Sequence, residues 1–175
     1  MRNTTQSDRD IGTSNSNSSI QNTTNRKNPS SYTILIVDDE PDITLVYESA
    51  LEGAGFKVDV FNDPLAALSK LKEMYSSYFP NMHMHTATKK PYDLLLLDIR
   101  MPKMNGFELY REIKKIVKKN EEEKEGVKTC FITAYEIYYE QLKQEFPKID
   151  VGCFIKKPIN GSDLIKRIKQ ELLLE

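Results

Sequence analysis

What this sequence of 175 residues has least of is charge of one sign: 25 basic residues stand against 26 acidic ones, for a net charge of -1. So balanced a chain carries no electrostatic footprint for a polyanion, and a general nucleic-acid binder is disfavoured from the start. Cysteine is scarce too, with Cys130 and Cys153 both set inside apolar, strand-like runs. With no secretory leader in sight, they read as buried free thiols of a reducing compartment rather than as a disulfide framework. Long hydrophobic runs are missing as well, since no window approaches the roughly eighteen apolar residues that span a bilayer. A soluble, cytoplasmic chain with no membrane partner is expected, with room for one domain of ordinary size.

The first part of the chain, residues 1–31, is mostly Asn, Ser and Thr, with Ile11 and Ile20 as its sizeable apolar side chains after the initiator. So little apolar surface cannot offset the entropy of ordering the segment, and a disordered tail is expected. The texture changes at Tyr32, and residues 32–175 read as the folded domain. Ile34 to Val37 is a short β-branched run suited to a strand buried on both faces. Pro41 opens a helix in which Ile43, Val46, Tyr47, Ala50 and Leu51 recur at helical spacing, and Gly53 and Gly55 end it. Lys57 to Phe61 alternates as a strand; Asp63 then caps a helix with Pro64 at its first position. "LLLLD" (Leu94 to Asp98) is a third strand, followed by a helix with Phe107, Leu109, Tyr110, Ile113, Ile116 and Val117 as its apolar positions. Thr129 to Thr133 is a fourth strand, Glu136 to Phe146 a helix, Gly152 to Lys156 a fifth strand, and an amphipathic helix closes the chain. Strands alternating with helices imply an α/β fold, a doubly wound parallel sheet with helices on both faces.

Two insertions lengthen the connections, near residues 75–91 and 120–128. The second is a charge run that reads as a solvated helix end. In the first, His83 and His85 alternate with Met82 and Met84, but no Cys, Asp or Glu beside them completes a soft-metal ligand set, and a loop is the expectation.

In an open parallel α/β sheet, ligands bind outside the carboxyl ends of the strands. Polar residues at those ends are therefore the candidates: Asp38, Asp39 and Glu40 after the first strand, Asp98 after the third, Thr133 after the fourth, and Lys156, Lys157 and Pro158 after the fifth. Asn62 and Asp63, after the second, read as caps of the next helix. Taken singly, a strand-end acid is often an N-cap and a strand-end threonine is ordinary. Taken together, three carboxylates would repel one another unless a cation sat among them, and their hard oxygens suit Mg2+. A lysine and a hydroxyl on the far side leave a place for an anion. Metal, carboxylate and lysine around one cavity describe phosphoryl transfer onto the carboxylate.

Four segments in order, "ILIVDDEPD", "YDLLLLDIRMPKMNG", "FITAY" and "FIKKPI", closely resemble the receiver domain of two-component response regulators. The resemblance covers about residues 32–175. It implies a CheY-like, five-stranded sheet in the order 2-1-3-4-5 and a phosphoryl group accepted from a sensor histidine kinase or phosphotransfer protein. By position it makes Asp98 the phosphoacceptor, with Asp39 a direct and Asp38 a water-mediated ligand of Mg2+, and the backbone carbonyl of Arg100 a further ligand. Thr133 resembles the switch hydroxyl, followed by the small Ala134. Lys157 resembles the lysine that pairs with phosphoryl oxygens, with a cis bond to Pro158, and Phe154 takes the aromatic switch position.

Having no hydroxyl, Phe154 would switch by packing rather than by a hydrogen bond. The two lengthened segments depart from the family pattern and put surface contacts, not the site, in question. A pseudo-receiver that serves only for docking would share the fold, although every chemical position here holds a usable residue. A haloacid-dehalogenase-type hydrolase wants a second acid two residues after its aspartate, where this chain has Arg100. No stretch reads as a helix-turn-helix or an effector after the last helix, so a single-domain regulator is expected, with an unknown protein target, no direct DNA binding, and a monomer or a phosphorylation-dependent dimer.

Overall fold

The computed structural model describes residues 28–78, 91–120, 127–134 and 153–174. Its strands are β1 (Thr33–Val37), β2 (Lys57–Phe61), β3 (Leu94–Asp98), β4 (Lys128–Thr133) and β5 (Cys153–Lys156). Its α-helices are α1 (Pro41–Gly53), α2 (Pro64–Tyr78), α3 (Gly106–Asn120) and α4 (Gly161–Leu172). The helix expected at Glu136 to Phe146, the His83 and His85 segment and most of the expected tail lie outside the described residues.

The five strands form a parallel sheet in the order β2-β1-β3-β4-β5. The central strand explains its own sequence. Leu94 and Leu96 enter the core beneath α1 and α4, with Ile34, Ile36, Leu51, Leu164 and Ile168. Leu95 and Leu97 enter the opposite core beneath α2 and α3, with Leu71, Leu109, Ile113 and Phe131. A strand covered on both faces has no solvated side to spare for a polar residue, so alternation gives way to a continuous apolar run. Burying each such leucine contributes about 2 kcal/mol.

The helices begin where local chemistry starts them. Asp63 Oδ1 accepts from the Leu65 N–H at 2.8 Å, and Asn160 Oδ1 accepts from the Asp163 N–H at 2.9 Å. At its far end α4 stops at Leu173, which takes a left-handed conformation with φ 56° while Leu174 N–H reaches the Lys169 carbonyl.

Four expectations need correcting. In α1 the buried face is Thr44, Tyr47 and Leu51, while Val46 points outward and is 56% exposed; the sheet lies on the other side of the helix. Helix α2 runs on through Tyr75, a buried side chain, to Tyr78, so the insertion starts later than residue 75. The end of the expected tail holds a single 3-10 turn, Pro29–Ser31, capped by the Asn28 side chain and leading into β1. Finally, Cys130 and Cys153 are not free thiols. They are register partners on adjacent strands, with Cα atoms 4.4 Å apart, and form a disulfide. Their separation of 23 residues hides that adjacency from the sequence.

Candidate functional site

Strand ends β1, β3, β4 and β5 deliver one cluster. Asp38 follows β1 and is fully buried, Asp98 ends β3 with 4% exposure, Thr133 ends β4, and Lys157, just past β5, is 7% exposed. Parallel pairing of the central strands sets their carboxyl ends side by side, which brings these residues together.

The Lys157 ammonium holds the cluster. It lies 2.7 Å from Asp38 Oδ2, 3.0 Å from Asp98 Oδ1 and 3.2 Å from Glu40 Oε1. Its backbone is fixed by a hydrogen bond of 2.8 Å from its N–H to the Thr133 carbonyl, and its bond to Pro158 is cis, as the resemblance implies. Asp98 Oδ2 accepts from the Arg100 N–H at 2.7 Å, so each oxygen of that carboxylate has a donor. Asp38 Oδ1 accepts from the Glu40 N–H at 3.1 Å.

Electrostatics follow from burial. Desolvation pushes the Asp38 carboxyl above the ordinary carboxylate value, and the close Lys157 ammonium only partly offsets it. Asp98 is raised for the same first reason, with Asp38's charge adding to the effect against the pull of Lys157. Burial opposes the charge of Lys157 itself, but Asp38 and Asp98 outweigh it and hold its pKa above the usual lysine value. Two acids and one base therefore share a site with too little positive charge.

That imbalance is the test for a metal. Asp38, Asp39 and Asp98 offer carboxylate oxygens within 4.8 Å of one another, with Asp39 the most exposed of the three. Although the ammonium lies close to it, Asp38 Oδ2 is buried and accepts no hydrogen bond of good geometry among the described residues. A buried, under-satisfied carboxylate oxygen in a hard-oxygen cluster fits a small divalent cation such as Mg2+. Arg100 is the second residue after β3 and is exposed.

The switch positions expected from sequence are placed as follows. Thr133 is buried at the end of β4, and Ala134 beyond it is exposed. Phe154 is half-buried on β5 and stacks on Phe131, its register partner, with ring centroids 5.7 Å apart. Phe131 in turn packs against Phe107 and Tyr110 of α3. Four contacts go beyond the sequence reading, which had Glu40 only at a strand end and Gly106 only in the loop after β3. Glu40 reaches Lys157. Asn62 is not a cap: its Nδ2 donates to the Asp38 carbonyl at 2.7 Å and to Thr44 Oγ1 at 3.0 Å. Lys103, at φ 68°, ties the loop after β3 to Asp63. At Gly106, a Cβ would stand 2.2 Å from the Asp98 carbonyl oxygen. Of these, only Gly106 left a local signal, as a glycine directly after Asn105.

Comparison with known proteins agrees with this fold. A family model described as the response regulator receiver domain matches residues 34–169. The transcriptional regulatory protein CpxR homolog of Haemophilus influenzae is 34% identical over 137 residues, 78% of this chain and 48% of that protein. The response regulator receiver protein CpdR of Brucella abortus is 28% identical over 80% of this chain and 96% of its own length. Among solved structures, the response regulator TrrA of Thermotoga maritima, in complex with Mg2+ and BeF, is 27% identical with a TM-score of 0.57. It is matched over 80% of this chain and 98% of that one. The chain spans about half the length of the first curated relatives it matches.

Proposed function

The chain belongs to the response regulator receiver domain family, a signalling family of the phosphorelay, and from that premise we propose that Asp98 is its phosphoacceptor. The observation that carries this is the carboxylate itself: buried at the end of the central strand, within reach of both Lys157 and the acidic pair. A carboxylate oxygen of Asp98 attacks the phosphorus of a phosphohistidine on a histidine kinase or phosphotransfer protein. An O–P bond forms, the N–P bond breaks, and the imidazole nitrogen leaves with the electron pair.

Asp38, Asp39, Asp98 and the Arg100 carbonyl would hold Mg2+, which when bound would neutralise the phosphoryl oxygens. Lys157 turns from Asp98 to those oxygens as a point charge. Thr133 supplies the hydroxyl that follows the new dianion, exposed Ala134 leaves it access, and Phe154 moves into the space vacated beside Phe131. The face formed by β4 and β5 thereby changes shape, and the output is altered binding of a protein target. The chain acts catalytically only on its own phosphorylation and dephosphorylation. We further assign the receiver to residues 32–175, entered through the 3-10 turn Pro29–Ser31.

Incubation with acetyl phosphate and Mg2+, read by phosphate-affinity electrophoresis, tests the assignment. Wild-type protein is expected to shift and Asp98→Asn to stay unshifted; a shift in Asp98→Asn would show the phosphoacceptor to be elsewhere.

A further inference from the structure

Lys157 has three ammonium N–H bonds and three carboxylates around them: Asp38 at 2.7 Å, Asp98 at 3.0 Å and Glu40 at 3.2 Å. Two of these acids also belong, with Asp39, to the cluster of converging oxygens; Glu40 does not. Glu40 is moreover the N-cap residue of α1, where a polar side chain ordinarily accepts from the first N–H groups of its own helix, and it makes no such bond. Its carboxylate extends instead to a partner 117 residues away. The backbone beneath it is pinned on both sides. Its N–H donates to Asp38 Oδ1, and its carbonyl accepts from the Ile43 and Thr44 N–H groups.

We propose that Glu40 is a positioning residue for Lys157, the anchor that keeps the ammonium over the site once Asp38 and Asp98 are engaged elsewhere. This rests on the phosphoacceptor reading of Asp98. In the resting chain Lys157 takes the place of a cation between two buried acids. A divalent cation on the Asp38, Asp39 and Asp98 oxygens would repel the ammonium and compete for the same lone pairs. Phosphorylation then removes the Asp98 carboxylate as a partner. The two shortest contacts of Lys157 are lost in these steps, and a lysine side chain set free spreads over many rotamers. Glu40 stands outside the metal-ligand cluster, so its contact survives both events and holds Nζ where phosphoryl oxygens arrive.

Because the Glu40 side chain is 58% exposed, its influence on rate is modest, about two- to fivefold. Glu40→Gln removes the charge and keeps the shape; Glu40→Asp keeps the charge. With acetyl phosphate and saturating Mg2+, E40Q is expected to be phosphorylated about two- to fivefold more slowly than wild type, and E40D to recover part of the loss. The distinguishing readout is the Lys157 ammonium resonance in proton–nitrogen correlation spectra. Without Mg2+ it should be protected from exchange in both wild type and E40Q, because Asp38 and Asp98 hold it. With Mg2+ it should persist in wild type and vanish in E40Q. A wild-type rate in E40Q, or an ammonium signal that Mg2+ affects equally in the two proteins, overturns the proposal. Phosphate uptake by Asp98→Asn would instead overturn the reading on which it rests.

Discussion

Asp38 and Asp98 hold their protons more tightly in the folded chain than in the unfolded one, because burial raises both. A raised carboxyl contributes stability at low pH that is lost as pH rises through its folded pKa, so at neutral pH the two ionised acids oppose folding. Lys157 works in the other direction: its raised pKa contributes stability fully present below the unfolded lysine value of 10.5. One cation does not offset two buried anions, and Mg2+ should supply the remainder. At about a hundred times its Kd, the ion is expected to stabilise the protein by about 2.7 kcal/mol near pH 7. As pH falls from neutral, Asp38 and Asp98 should take up protons before ordinary aspartates do, and the Mg2+ effect should shrink as they do. Urea unfolding with and without Mg2+ across a series from neutral to acidic pH measures this; an equal stabilisation throughout would contradict the raised carboxyls. At this scale the sequence was most legible where a residue's role depends on its place at a strand end, as for Asp38, Asp98, Thr133 and Lys157. It placed Glu40 at a strand end without its partner and took Asn62 for a cap, because the partners of both are chosen by contact across the sheet edge.

The elements are mostly written in their own residues. Asp63 and Asn160 cap the helices they precede, and the leucine run of β3 announces a strand buried on both faces. The loop after β3 is different, because its shape is set by what it packs against. Gly106 N–H donates to the Ile99 carbonyl at 3.1 Å, and this turn brings the start of α3 directly over the Asp98 backbone. With a Cβ only 2.2 Å from the Asp98 carbonyl oxygen, Gly106→Ala must displace the strand end or the helix. A loss of about 2 kcal/mol in urea unfolding is expected, with slower phosphorylation of the displaced Asp98. A variant as stable and as active as wild type would mean that the turn yields freely. Along α1, periodicity alone did not tell which side the sheet lies on. Ile43, Val46, Tyr47, Ala50 and Leu51 satisfy a helical repeat, but the helix is rotated so that Thr44 is buried and Leu45 and Val46 are exposed.

For the molecule as a whole, two cores on either side of one sheet carry the stability. Leu96, fully buried beneath α1 and α4, and Leu45, 64% exposed, are the same residue type in opposite environments. Leu96→Ala is expected to destabilise by about 3 kcal/mol and Leu45→Ala by less than about 0.5 kcal/mol in chemical denaturation. Similar losses at both positions would contradict the layered core. The sequence by itself determined the alternation of strands and helices, the Asp63 cap, and the set of strand-end residues available for chemistry, because burial periodicity and capping act between near neighbours. Strand order came only with the family resemblance, and tertiary structure alone decided the rest. It put Cys130 against Cys153, turned Val46 outward, and gathered Asp38, Asp98 and Glu40 around a single ammonium. Those contacts join residues far apart in the chain, and which of them meet is settled by the packing of both cores against the sheet, a sum over many side chains that no local stretch contains.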